Sequence, residues 1–257
     1  MNIHPTAAVA AGAEIAEDVV VGPFAVIDAK VRIRAGCRIE GHAQLLNSVE
    51  LGESCEVGHG AIIGGNPQDL GFDRATPSGI VIGARNVFRE HVTVNRSSVE
   101  GGATRIGDGN YLMASSHAGH DVVIGDNNVI ANACMLGGHV TVGNSTFLGG
   151  GGGFHQFVRI GDLCMVKGLT AISQDVPPFV IMSGSNDVRG LNSIGLRRAG
   201  YDKETRDSIK LAFTIVMREG HNIDAALEKA AANALKPEAE AFVEFFRTPS
   251  RKGICRV

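Results

Sequence analysis

The sequence predicts an all-β parallel β-helix of hexapeptide repeats followed by a small α-helical C-terminal domain. Three observations predict it. A branched aliphatic recurs at almost every sixth position from Val9 to Ile172; the chain carries 34 glycines and no tryptophan; and after Pro177 and Pro178 the repeat stops and helix-capping patterns begin.

The repeat runs Val9, Ile15, Val21, Ile27, Ile33, Ile39, Leu45, Leu51, Val57 and Ile63. Its phase slips by one residue across Gly64 to Ile80 and resumes at Ile82, Phe88 and Val94. After Glu100 it continues through Ile106, Leu112, Ala118, Ile124, Ile130, Leu136, Val142, Leu148, Phe154, Ile160, Val166 and Ile172. A period of six suits neither a 3.6-residue helix nor an alternating strand, but it suits a coil in which each hexad supplies one short strand and one turn. Three hexads close a triangular coil, so residues 18 apart stack at about the 4.8 Å strand spacing. The aliphatics then form one interior column while each coil satisfies its backbone groups against the next.

Two segments, near 64–79 and 95–104, break the pattern with Gly, Pro, Asp and Ser, and are read as loops. The β-helix is assigned to residues 1–186 and the helical domain to 187–257. From about Asn192 the chain reads as helix. Asp202 caps a helix burying Ile209, Ala212, Ile215 and Val216, and Gly220 ends it. Asn222 caps a second carrying Leu227, Ala230 and Ala234, and Pro237 opens a third with Phe242, Phe245 and Phe246 along an apolar edge.

A net charge of −3 and a sequence pI near 6.3 show no global basic bias, which argues against nucleic acid or an anionic membrane as partner. The opening MNIHPTAAVA has no charged n-region, and no stretch of about 18 apolar residues occurs, so the expectation is a cytoplasmic protein without stable membrane insertion. Cys37, Cys55, Cys134, Cys164 and Cys255 are odd in number and lack CxxC or ligand spacing, and are read as reduced.

The segment HAGHD puts His117, His120 and Asp121 in one hexad and its turn. One coil after His120 comes Gly138, with His139 beside it, and one coil further comes Gln156, with His155 beside it. Stacking therefore gathers His120, His139 and His155 near one corner. A neutral His120 can take a proton from a hydroxyl, Asp121 can fix its tautomer and stabilise the imidazolium, and the unobstructed N–H of Gly138 can bind an oxyanion. For any one histidine the plainer reading is a solvated side chain on an exposed face; three stacked together favour chemistry. The run Gly149–Gly153 lacks the Lys and Ser/Thr of a phosphate-binding loop and reads as a tight corner.

Nearly the whole chain resembles the hexapeptide-repeat UDP-N-acetylglucosamine O-acyltransferases that begin lipid A synthesis. HPTA, NPQDL, VTVNR, HAGHD, GGHV, GGFHQF, QDVPPFV and LNSIGLRRAGY together carry the resemblance. It implies a left-handed coil, a homotrimer with sites between subunits, and transfer of a 3-hydroxyacyl group from acyl carrier protein to the 3-hydroxyl of UDP-N-acetylglucosamine. No cofactor and no metal are implied, since the donor rides on the carrier's phosphopantetheine. His120 matches the general base, Asp121 its partner and Gly138 the oxyanion donor. Gln68, Asp69, His117 and His139 match residues lining the sugar and pantetheine cleft. His155, Gln156, Asn192 and Arg198 match nucleotide-holding positions, and Gly168 the position that sets acyl-chain length. Gly71 and Ile194 stand where the family has Lys and Glu, and Asp73 to Pro77 also depart; Lys167 flanks Gly168. The exact acceptor sugar and the chain length therefore stay open.

Other readings of the same residues are an acetyl-CoA-dependent acetyltransferase, a γ-type carbonic anhydrase with zinc on His117, His120 and His139 across a subunit interface, and a non-catalytic binding protein. The C-terminal helices and the QDVPP exit speak against the first. A basic patch drawn from Arg197, Arg198, Arg159 or Lys167 is expected to meet an acidic carrier protein.

Overall fold

Each hexad forms a short strand whose second residue points inward, as in Val26–Ile27 and Arg38–Ile39, and its neighbours bring it against the same strand one coil away. A computed structural model describes residues 2–257. Among these residues the strands stack into three sheets of 11, 9 and 8 strands, which form the faces of a left-handed triangular prism. Pairing is parallel throughout the prism, with Val9 beside Ile27 and Ile27 beside Leu45.

The aliphatic column is the core. Val21, Ile27, Ile39, Leu45, Leu51, Ile63, Phe88, Leu112, Ile130 and Leu136 are at most 1% exposed. Burial of each such side chain contributes on the order of 1.5–3 kcal/mol. Val9 and Ile15 sit in the end coil and are only part-buried. Tight corners need one residue per turn in the left-handed region. His42, His91, Ser115, Ala133 and Leu169 occupy it at one edge with φ of 54–60°, in register with Gly60 and Gly151. A second ladder is polar: Asn110 donates from N and Nδ2 to Asn86 Oδ1, Asn128 repeats this on Asn110 Oδ1, and Thr146 N donates to Asn128 Oδ1. It satisfies amides at a corner that water does not reach.

Stacking of every third hexad holds only in coils without loops. The first loop, between strands Ile62–Gly65 and Gly79–Ile82, lengthens its coil so that Ile63 pairs with Val94. The second, between Thr93–Asn95 and Ala103–Ile106, does the same on a smaller scale, and Val94 pairs with Ala118.

The chain leaves the prism through Val180–Ser183, which pairs antiparallel with Asp187–Leu191, so residues 187–191 are a strand rather than helix. Helices α1 (Ser193–Arg198), α2 (Lys203–Met217), α3 (Ile223–Ala231) and α4 (Pro237–Arg247) follow. Asp202 and Asn222 accept from Thr205 N and Ala225 N as N-caps, and Pro237 occupies the first turn of α4. Ala234, expected on α3, lies beyond its end. Pro237 disfavours helical backbone at Lys236, which is extended, and the chain turns between the two helices. Phe213, Phe242 and Phe246 join α2 to α4. The C-terminus returns to the prism, with Ile254 bridging Asp175 and Arg256 bridging Asp187. All five cysteines are buried and unbridged. No helix among the described residues is long and apolar enough to cross a membrane.

Candidate active site

The strand His117–Ala118 and the turn after it carry the histidines into a cavity of about 630 Å³ on one prism edge. Gln68, His117, His120, Gly138, His155 and Gln156 line it, all of them residues that the sequence singled out. A larger cavity of about 730 Å³ lies beneath the first loop and has no histidine in its wall, so chemistry and not size selects the site.

His120 Nδ1 is 2.8 Å from Asp121 Oδ2, and the two side chains are 17% and 12% exposed. Asp121 is held from every side. Ser97 Oγ donates to its Oδ1, Ser98 donates from N (3.0 Å) and Oγ (2.6 Å) to Oδ2, and its own N–H donates to Thr104 Oγ1. Burial alone would raise its pKa; the bonds from Ser97, Ser98 and His120 outweigh that and hold it down at about 2. An ionised Asp121 therefore faces Nδ1, which selects the tautomer with the proton there and leaves Nε2 free to accept.

Gly138 lies one coil on, and a Cβ built on it would fall 2.6 Å from His120 Nε2. Only glycine lets the backbone approach the ring so closely. Its N–H has no acceptor among the described residues. His139 stands at right angles to His120 (centroids 5.1 Å apart), with Nε2 3.7 Å from Asp121 Oδ2, and stacks on Phe157 at 4.6 Å. Burial lowers its pKa, Asp121 opposes this, and His120 and Arg251 add to the lowering. His117 is likewise lowered by burial, and its Nδ1 is 2.7 Å from Thr93 Oγ1.

Asp121 and His139 pack against His120 without lining the cavity, and four further expected site residues lie away from it in this single chain. Asp69 turns back to accept from Gly71 N and shapes the loop. Gly168 is at another corner, where a Cβ would lie 3.1 Å from Gly150 O. Asn192 caps α1, accepting from Gly195 N and donating to Leu163 O. Arg198 ends α1, exposed. Arg159, counted in the basic patch, is not free: it pairs with Asp175, 1% exposed, at 2.8 Å and covers Phe245.

Sequence reasoning missed Thr93, Ser97 and Ser98, which meet His117 and Asp121 because the second loop lengthens that coil. The hydroxyls of Ser97 and Ser98 in the second loop, and of Thr93 on the strand before it, were the available signal. Phe157, and Arg251 and Lys252 within 6 Å of its ring, were also missed.

As for a metal, His120, Asp121 and His139 offer ligand atoms within 4.8 Å of one another. His120 and Asp121 already bond each other, and Asp121 the two serines, an arrangement suited to proton handling; His139 Nε2 stands 3.7 Å from Asp121 Oδ2 without a hydrogen bond. His117 does not join them within one chain.

The family described as Udp N-acetylglucosamine O-acyltransferase, Domain 2, matches residues 175–255, and bacterial transferase hexapeptide repeats match 103–138. The chain is 40% identical to the acyl-[acyl-carrier-protein]–UDP-N-acetylglucosamine O-acyltransferase of Thermodesulfovibrio yellowstonii, covering 99% of both chains. It is 41% identical to that of Anaeromyxobacter dehalogenans, covering 100% of both. The UDP-N-acetylglucosamine acyltransferase structure from Campylobacter jejuni superposes with a TM-score of 0.93 at 33% identity over 100% of both chains. With this fold, this histidine corner and these full-length relatives, the chain belongs to the UDP-N-acetylglucosamine O-acyltransferase family.

Proposed function

We propose that the protein transfers a 3-hydroxyacyl group from acyl carrier protein to the 3-hydroxyl of UDP-N-acetylglucosamine. The observation that carries this is the His120–Asp121 pair facing the unengaged N–H of Gly138 in one cavity of a member of this family. His120 Nε2 takes the proton of the sugar hydroxyl as its oxygen attacks the thioester carbon. Gly138 N–H donates to the resulting oxyanion, and ionised Asp121 stabilises the imidazolium. The tetrahedral intermediate then collapses, the C–S bond breaks, and the imidazolium proton goes to the departing thiolate.

Gln68, His155 and Gln156 border the same cavity and suit the pantetheine, sugar and nucleotide. The remoteness of Asn192, Arg198 and Gly168, with Met135 54% and Leu169 85% exposed, suits a homotrimer in which a second subunit completes each site. His139 and Asp69 then act beside the site, His139 through Asp121 and Asp69 through the loop. Exposed Arg197, Arg198 and Lys167 remain as the surface for an acidic carrier; carrier binding insensitive to salt would refute that docking. The reading requires no cofactor and a cytoplasmic setting. The alternative of a related nucleotide-sugar, raised by Gly71 and Ile194, is not favoured beside full-length relatives named for UDP-N-acetylglucosamine.

The test is to incubate the protein with UDP-N-acetylglucosamine and a panel of 3-hydroxyacyl carrier proteins and follow product by mass spectrometry. Transfer that falls on the order of 10² or more in His120→Ala supports the reading. No transfer by folded wild type with any chain length refutes it for this acceptor.

A further inference from the structure

The loop that brings Gln68 to the cavity is gripped by one side chain. Arg96 is 2% exposed, and its bonds run to amide, hydroxyl and carbonyl oxygens rather than to a carboxylate. A guanidinium buried without a counter-charge costs several kcal/mol unless its donors are well used. Here they are used on the first loop. Nε donates to Asn66 Oδ1 at 2.9 Å, Nη1 to Thr76 O at 2.5 Å and Ser78 Oγ at 2.9 Å, and Nη2 to Arg74 O at 2.8 Å. Its plane also covers Phe72, 4.9 Å from the ring centroid. Asn66 belongs to the outgoing limb of the loop, Phe72 and Arg74 to its tip, and Thr76 and Ser78 to its returning limb. The backbone closes the same bracket, with Arg96 N donating to Gly65 O and Ser97 N to Gly79 O.

The residues on either side of Arg96 point elsewhere. Asn95 lines the histidine cavity beside Gln68, while Ser97 and Ser98 hold Asp121. One short segment, 95–98, thus ties the substrate loop to the acid–base pair.

We infer that Arg96 is a positioning residue for this reaction: its planar fork holds loop 66–78 so that Gln68 stands at the cavity, at a fixed place relative to His120 and Asp121. Burial also pushes the Arg96 pKa below its ordinary value, in keeping with a cation kept for its fork and not for an ion pair. A lysine would keep the charge but cannot bond both limbs at once. The inference rests on the acyltransfer reading for its kinetic part only.

The test uses the full-length protein and the variants Arg96→Lys, Arg96→Gln and Asn66→Ala, the last removing one exposed acceptor and leaving the buried arginine intact. Limited trypsin cleavage after Arg74 is the first readout, because the carbonyl of that peptide is bonded by Arg96 and must be released before a protease can take it. Cleavage at Arg251 and Lys252 serves as the control. Expected are at least about tenfold faster cleavage after Arg74 in both Arg96 variants with the control sites unchanged, and a smaller effect in Asn66→Ala. The KM for UDP-N-acetylglucosamine rises about tenfold while kcat stays within about threefold and keeps its pH profile. Wild-type cleavage after Arg74 and wild-type KM in Arg96→Lys and Arg96→Gln overturn the inference. So does an equal gain in cleavage at every site, which marks general loosening. Because cleavage needs no chemistry, lack of transfer by the wild type would count against the acyltransfer reading and leave the clamp to be judged by trypsin.

Discussion

Gly138 and His120 are packed so closely that a side chain on one would displace the other: a Cβ on Gly138 would lie 2.6 Å from Nε2 and 2.8 Å from Cε1 of the imidazole. Gly138→Ala is therefore expected to push the ring away and reorient the oxyanion N–H. The expected loss in kcat is on the order of 10²–10³. Steady-state kinetics with an unchanged circular dichroism spectrum checks it. Near-wild-type kcat would mean that neither the ring position nor this N–H matters to the chemistry.

Asp121→Asn keeps the shape of the side chain but replaces an ionised acceptor with a neutral amide facing His120 Nδ1, 2.8 Å away. The wrong tautomer then becomes accessible and the imidazolium loses its counter-charge. A fall in kcat on the order of 10²–10⁴ with acceptor KM within about threefold is expected. Equal kcat in variant and wild type would remove Asp121 from the mechanism.

Acid should destabilise the fold in two stages. Burial lowers the folded-state pKa of His117 and of His139 from the ordinary 6.5, so below that pH the unfolded chain takes up protons that the folded one resists, and stability falls. Asp121 is depressed from 3.8 to about 2 because the serine and His120 bonds outweigh its burial, so its contribution is present above about pH 4 and lost as pH falls toward 2. Urea midpoints across this range should show the upper stage flattened in a His117→Gln, His139→Gln double variant and the lower one in Asp121→Asn. Unaltered slopes in these variants would refute the assignment.

Within the prism, Asn110→Ala removes the acceptor of Asn128 N, one of the two acceptors of Asn128 Nδ2, and the side-chain donor to Asn86 Oδ1, which keeps the bond from the backbone N–H of residue 110. Leaving the buried N–H of Asn128 unpaired should cost about 1–3 kcal/mol. Chemical denaturation measures it, and a change below about 0.5 kcal/mol would show that the ladder is replaceable.

Much of this architecture was written in the spacing. An aliphatic at every sixth residue has one way to be buried, and Val21, Ile27 and Ile39 are buried that way. The same spacing stacks Gly138 over His120 and Gln156 beyond, since no loop interrupts those coils. Local chemistry also marked the helix starts at Asp202, Asn222 and Pro237. It did not mark the end of α3 short of Ala234, where Pro237 restricts the chain before it.

What the tertiary structure decided lies wherever a loop or a chain return changes the register. The longer coil of the second loop brings Ser97 and Ser98 to Asp121, at separations that a strict three-hexad period does not reach. Arg159 is claimed by Asp175 where the C-terminal segment comes back to the prism. A period encodes which side of the backbone faces the core, because burial acts on each hexad alike. Which distant side chains meet at a loop depends on where the whole chain has already packed, and no local spacing carries that information.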